Sequence, residues 1–410
     1  MYSPKSLQRI VYSMCSVILA GNLLGAQLVG ATTYYVATSG NDANPGTETS
    51  PFATVNRGVK ALVAGDTLFI NSGIYAEELK NPLPSGLSAS QPTKMTGPAE
   101  NRPVIRPTTS NNGGYVILLN RDRAHITFEN LVLDASSMPV ANSSLTTNST
   151  TIITNLILQD CESVGKANYA TRNAAGITIG NKTQATVRRC SIHGWNNGDS
   201  KHGAHGFYWR GSNGLIEHNE IYDTNGYGLQ FFTPELVGVN NNVYRNNYVY
   251  GNKAGLYIGS GDGNQAYNNI IVNNAGGISV RGKNTKIFNN TVYNNPRGGM
   301  QVDPGVVAVI RNNIVYNNGR SIWNQSSSTT VDHNLTTDPL FVDPATNSFT
   351  VQAGSLAIDT GTTLSEVLTD YMKVPRPQGS GYDIGAFEYT GSTTSLQPAT
   401  QKKLRVIKPK

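Results

Sequence analysis

The sequence predicts an all-β chain folded as a single right-handed parallel β-helix, with an N-terminal cap helix and a C-terminal capping module. Three observations lead there. An apolar–Asn–apolar unit recurs every 21 to 31 residues, which matches one coil of a β-solenoid. A second unit, a glycine followed by a short alternating strand, recurs in phase with the first. The composition is also that of a turn-rich β-protein: 42 glycines, 20 tyrosines and only 14% charged residues in a chain of 410, with no segment patterned as a long helix.

The elements follow in order. Residues 1–31 read as a secretory signal, because Lys5 and Arg9 precede an apolar run from Ile10 to Ala20 and Val29-Gly30-Ala31 supplies small residues for cleavage. No later segment is apolar over a membrane-spanning length. Residues 32–130 are expected to hold the N-terminal cap and first coils. There Tyr34-Tyr35-Val36 precedes the turn-rich stretch 40–46, a short amphipathic helix runs from Pro51 to about Leu62, and Gly65-Asp66-Thr67-Leu68-Phe69-Ile70 resumes the sheet.

Regular coils are expected over 131–337. Aligned on the Asn of the repeat, the equivalent positions are Asn130, Cys161, Cys190, Asn219, Asn247, Asn269, Asn290, Asn313 and Asn334. Inward amides at such a turn can bond from coil to coil as a ladder. The strands following Gly176, Gly206, Gly228, Gly255, Gly277 and Gly299 alternate, so their first and third side chains are expected inside. The chain has three cysteines; Cys15 lies in the signal, and Cys161 and Cys190 fall in adjacent coils, where either a disulfide or two packed thiols is geometrically permitted. Residues 338–390 are expected to form the C-terminal capping module, and 391–410 a basic flexible tail.

The formal charge of +6 resides at the two ends: without the signal and the tail, residues 32–390 carry a net −1. A nearly neutral body argues against nucleic acid as a partner, and leaves the basic tail as a contact for an anionic cell surface. Within that body, residues 164–215 hold seven Lys and Arg against Asp199 alone, with His193, His202 and His205 besides. The same coils carry insertions, at 164–174, 193–205 and 232–238, so a groove binding an acidic ligand is expected there. Alternation predicts an outer stripe of Thr178, Tyr208, Gln230, Tyr257, Ser279 and Gln301, with Arg210, Phe232, Arg281 and Asp303 two residues further on. Gln230, Phe232, Tyr257 and Gln301 are the candidate substrate-binding residues, since aromatic and amide groups at coil spacing suit sugar rings.

The chain resembles known secreted bacterial β-helix proteins. Its N-terminal pattern through Phe69-Ile70 is similar to that of a group including the family-nine pectate lyases. Asp338-Pro339-Leu340-Phe341, Ser355-Leu356-Ala357-Ile358 and Asp383-Ile384-Gly385-Ala386-Phe387 resemble a terminal module found in the same proteins. The resemblance implies a β-helix polysaccharide lyase. It also implies calcium bound by aspartates; at the similar place this chain has Ala204-His205-Gly206-Phe207, so the family calcium motif is not matched, and calcium stays open without being an expected cofactor.

For a lyase, β-elimination on a uronic-acid polymer needs a base, an acid and a group that neutralises the carboxylate. Lys201 or His205 is the expected base, Tyr208 the acid, and Arg210 and Arg281 the neutralising pair. The expected protein is thus a secreted monomer acting on an acidic polysaccharide. C5-epimerisation and non-catalytic carbohydrate binding at a cell surface remain alternatives, whereas glycoside hydrolysis lacks a carboxylate pair.

Overall fold

A computed structural model describes residues 30–167, 174–198, 203–233 and 238–391. Residues 1–29 of the signal expected at 1–31, Lys201, His202, Arg172, and residues 392–410 of the basic tail expected at 391–410 lie outside the described residues.

Three parallel sheets of twelve, ten and ten strands wrap around one core. One coil shows the plan. Leu215–Glu217 belongs to sheet A, Glu220–Thr224 to sheet B and Tyr227–Phe231 to sheet C, and the chain then returns to sheet A at Val243–Arg245. Each strand pairs in parallel with its equivalents in the preceding and following coils. The expected alternation holds: Ile177, Phe207, Leu229, Leu256 and Ile278 face inward at the first position after the glycine, and Ile179, Trp209, Phe231, Ile258 and Val280 at the third. Two buried indoles remain satisfied, Trp195 Nε1 donating to Ser163 Oγ at 3.1 Å and Trp209 Nε1 to Asn242 Oδ1 at 3.1 Å.

The amide ladder is present at the A–B corner. Asn219, Asn247, Asn269, Asn290 and Asn313 each donate through Nδ2 to the Oδ1 of the next coil's Asn, ending on Asn334, at 2.8 to 3.0 Å. Cys190 enters this ladder by its backbone, donating to Asn219 Oδ1 at 3.0 Å. Cys161 and Cys190 are both free and buried, and burial pushes the Cys161 thiol well above the ordinary thiol range.

Three expectations shift. In the first aligned coil the strand pairing Glu129↔Gln159 makes Leu131 the equivalent of Cys161, so Asn130 sits one residue early. Asn130 instead has φ 54, in the row of left-handed residues that precede the ladder: Asp160, Arg189, His218, Asn246, Asn268. Asn serves both positions, in one as a buried amide and in the other because it tolerates the left-handed region. The cap helix is shorter than expected, Val55–Val59, capped by Thr54 and by the Glu77 carboxylate, which accepts from the Val55 and Asn56 amides at 2.7 and 2.8 Å. Gly58 permits its approach, since a Cβ there would lie 2.6 Å from Leu68.

The C-terminal module, finally, covers a flank. Its antiparallel pair Phe341–Asp343 and Ser348–Val351 and the following segments bury Phe349, Tyr371, Ile384 and Phe387 with Tyr248, Ile270, Val272 and Ile314 of sheet B. Leu364, Val367 and Tyr382 pack on Tyr267 and Phe288 of sheet A. It therefore straddles the A–B corner, and sheet C is left uncovered by it.

Candidate functional site

Sheet C carries a groove of about 800 Å³ along its outer face. Strand register sets one row on that sheet: Thr178, Tyr208, Gln230, Tyr257, Ser279 and Gln301 are in line, and the register continues the row to Trp323. Tyr208, Gln230, Phe232, Ser279, Gln301 and Trp323 line the groove. Gln230 is 9% exposed, and its Oε1 has no hydrogen-bond partner among the described residues. An orphaned buried acceptor facing a groove is a place for a ligand hydroxyl.

The cations of the groove are not those the sequence suggested. Lys253, Arg297 and Arg320 line it, with no Asp or Glu among the described lining residues. All three stand in turns between sheets B and C. A second amide ladder, absent from the expectations, builds that corner: Asn252, Asn274 and Asn295 each donate to the next coil's Asn, ending on Asn318, at 2.9 to 3.3 Å. Lys253 follows Asn252 directly, and Arg297 and Arg320 stand two residues after Asn295 and Asn318. Arg297 and Arg320 thus occupy equivalent places in successive coils, roughly one strand spacing of 4.8 Å apart, with Lys253 two coils before Arg297. The Arg320 guanidinium lies 4.5 Å from the Trp323 ring centre, a cation–π contact at the end of the floor.

The basic stretch 164–215, in contrast, is dispersed around the coil. Arg188 bonds Gln159 Oε1 at 2.6 and 2.8 Å, Arg189 forms a two-pronged pair with Asp160, His193 bonds Glu162 at 2.9 Å, and Lys166 donates to the Met138 carbonyl. Solenoid winding carries neighbours in sequence to different faces, so a local charge count does not locate a charged surface.

His205 and Tyr208 do meet in the groove. The His205 ring stacks between Tyr208 and Tyr227, with centres 6.0 and 5.7 Å away. Its Nδ1 accepts from the Tyr227 amide at 2.9 Å, which leaves the proton on Nε2. Gly226 makes the approach possible, because a Cβ there would lie 2.5 Å from Nδ1. Burial, and then the positive charge of Lys253, push the His205 pKa down to about 3. The expectation of His205 as a base is corrected accordingly: it is a neutral imidazole offering an N–H. Arg210 donates to the Tyr208 hydroxyl oxygen at 3.2 Å and lies over its ring, so it orients Tyr208 from behind. Arg281 is engaged by Asp303 at 2.5 Å and by the Tyr257 hydroxyl at 2.9 Å. Its charge is thereby compensated, contrary to the expected neutralising role. Tyr257, expected to face substrate, is 7% exposed, covered by Tyr227 at 4.8 Å and Phe232 at 6.1 Å. It supports the floor without forming part of it.

The chain matches the right-handed β-helix region family over residues 104–285 and 175–337. It belongs to that family. No curated protein matches it in sequence. Among solved structures, this right-handed β-helix protein is similar to pectate lyase Pel9A, with a TM-score of 0.66 at 16% identity, covering 88% of this chain and 96% of that one. It is also similar to a rhamnogalacturonan lyase (TM-score 0.56, 13% identity, 82% and 97% covered) and to XylC in complex with xylose (0.54, 12%, 87% and 98%). These likenesses show a shared fold. The calcium implied by the pectate lyase resemblance does not suit the described groove: His205 stands in its motif with Nδ1 already bonded, and no cluster of three or more His, Cys, Asp or Glu side chains suited to a metal occurs among the described residues.

Proposed function

We propose that this β-helix protein is a polysaccharide lyase that cleaves a uronic-acid polymer by β-elimination. The observation that carries the reading is the sheet C groove itself, lined by Lys253, Arg297 and Arg320 without a carboxylate among the described lining residues. Such a surface favours an acidic ligand, and Gln230, Trp323 and the stacked Tyr208–His205–Tyr227 rings supply hydrogen bonds and ring faces for sugars. The similar structures named as a pectate lyase and a rhamnogalacturonan lyase add weight.

In this reading Arg297 and Arg320 hold uronate carboxylates, lowering the cost of charge that develops as the neighbouring C–H ionises. Lys253 is the proposed base for that proton. The electron pair forms the ring C=C bond as the glycosidic C–O bond breaks, and Tyr208 gives its proton to the leaving oxygen while Arg210 holds the phenol in place. His205 contributes its Nε2–H to substrate binding. With a secretory signal at 1–31, the protein would meet its polymer outside the cytoplasm. Incubation with pectate, alginate, rhamnogalacturonan and glycosaminoglycans, followed by ultraviolet absorbance of unsaturated uronates, tests the proposal. Product from at least one polymer is expected. Silence across the panel overturns it, and inversion at C5 by NMR without chain cleavage would replace it with epimerisation.

A further inference from the structure

The A–B corner, across the coil from sheet C, carries a second groove of about 1080 Å³. Its floor is the row of left-handed residues Asn130, Asp160, Arg189, His218, Asn246 and Asn268, one per coil. Its wall is the 368–373 segment of the C-terminal module. Nothing in the proposed lyase chemistry uses this groove.

Two buried polar atoms in it are unsatisfied among the described residues. Arg102 is 7% exposed; its Nη atoms bond the Asp160 carbonyl and Glu162, while Nε has no partner. Asn246 is 6% exposed; its amide nitrogen meets His218, while Oδ1 has no partner. A donor and an acceptor left open in one groove point to a ligand rich in both. The charge balance points the same way. Asp160 and Glu217 are each gripped by two nitrogens of a single arginine, Arg189 and Arg245, and Glu366 pairs with Lys286. Arg188 bonds only the neutral Gln159, and Lys373 has no ion pair among the described residues. The surplus of the groove is therefore positive. Beside the polar row Leu368 is 66% exposed and Met372 36%, an apolar strip along a hydrogen-bonding one, as the two aspects of a sugar ring require.

We infer that this groove is a second, non-catalytic site for an acidic oligosaccharide, laid along the coil axis between the left-handed row and the C-terminal module. The coil repeat of the floor suits a ligand that itself repeats, which a single anion does not. From the function proposed above the inference takes only the class of polymer. A chain held here would raise the effective concentration of polymer at sheet C.

Equilibrium binding of a fluorescent galacturonate hexamer to the mature protein tests it, with a neutral galactose hexamer alongside. Two equivalents are expected to bind, falling to one in Lys373→Asn/Arg188→Gln, to one in Arg297→Ala/Arg320→Ala, and to none in the combination. Unchanged stoichiometry in Lys373→Asn/Arg188→Gln overturns the second site, and equal binding of the neutral hexamer overturns its acidic preference. Independently of any variant, the galacturonate hexamer should protect Lys373 from acetylation and leave Lys60 reactive; equal labelling with and without it also overturns the site. Release of unsaturated product without a second equivalent sinks this inference alone. A second equivalent together with silence across the polymer panel sinks the lyase reading alone.

Discussion

Two corners of the coil are built alike and present opposite surfaces. Both the A–B and the B–C corners are held by ladders of buried asparagines. At the A–B corner three arginines beside the ladder are compensated across coils, Arg189 by Asp160, Arg245 by Glu217 and Arg311 by Asp332, while Arg188 bonds Gln159. At the B–C corner Arg297 and Arg320 form no ion pair among the described residues and face a groove without carboxylates. The difference separates arginines that hold the scaffold together from arginines left to a ligand. An exposed pair is worth little to stability, whereas an uncompensated cation on a rigid turn remains available to a ligand.

Substitutions can break this comparison. Replacing Lys253 with Met should lower turnover by about 10²- to 10⁴-fold, the range for loss of a positioned general base, with little change in KM; retention of kcat in a steady-state assay would remove Lys253 from the proposed role. Asn269→Leu should destabilise the fold by about 2–4 kcal/mol in urea unfolding, because it orphans buried ladder partners. The exposed Asn294→Ala should cost far less, and equal losses would contradict the ladder. Arg320→Ala should raise KM roughly tenfold, the loss of one charge-assisted contact, more at low salt than at high, while Arg189→Ala leaves KM unchanged.

The last effect concerns pH. His205 has a folded pKa of about 3 against the ordinary 6.5. Between those values the unfolded chain binds a proton that the folded chain does not, so this residue makes stability rise with pH up to about 6.5 and fall as pH drops below it. His205→Gln should flatten the fall between pH 6.5 and 3 in thermal unfolding. An identical slope would show that the imidazole is not held neutral.

The fold was largely legible because a solenoid writes its geometry into periodicity. Glycine strands located sheet C and the row in register along it, from Thr178 to Gln301. Asn130 and Leu131 mark the limit, since one residue type serves two adjacent turn positions and only strand pairing distinguishes them. The site was less legible. Tyr208, Gln230, Phe232 and Gln301 fell on the groove because alternation predicts which side faces out. Lys253, Arg297 and Arg320 were missed because they stand in turns, where no alternation applies; their signal was the second run of asparagines just before them. Arg281 and Tyr257 were placed on the right face, but pairing with Asp303 and cover by Tyr227 depend on neighbours one coil away. The C-terminal module was recognisable as a module, whereas its seat on the flank depends on apolar side chains of sheets A and B that read in sequence as ordinary strand residues.

The paired ladders also bear on how such a gene can lengthen. From Asn247 to Asn334 the unit is 21 to 23 residues, and each begins and ends on the same amide with the same turn. An in-frame duplication of one unit would join like to like at both corners and extend the floor of the sheet C groove by one strand spacing. Groove length would then change in whole steps, so descendants of such a chain would differ in how many sugars they hold by integers.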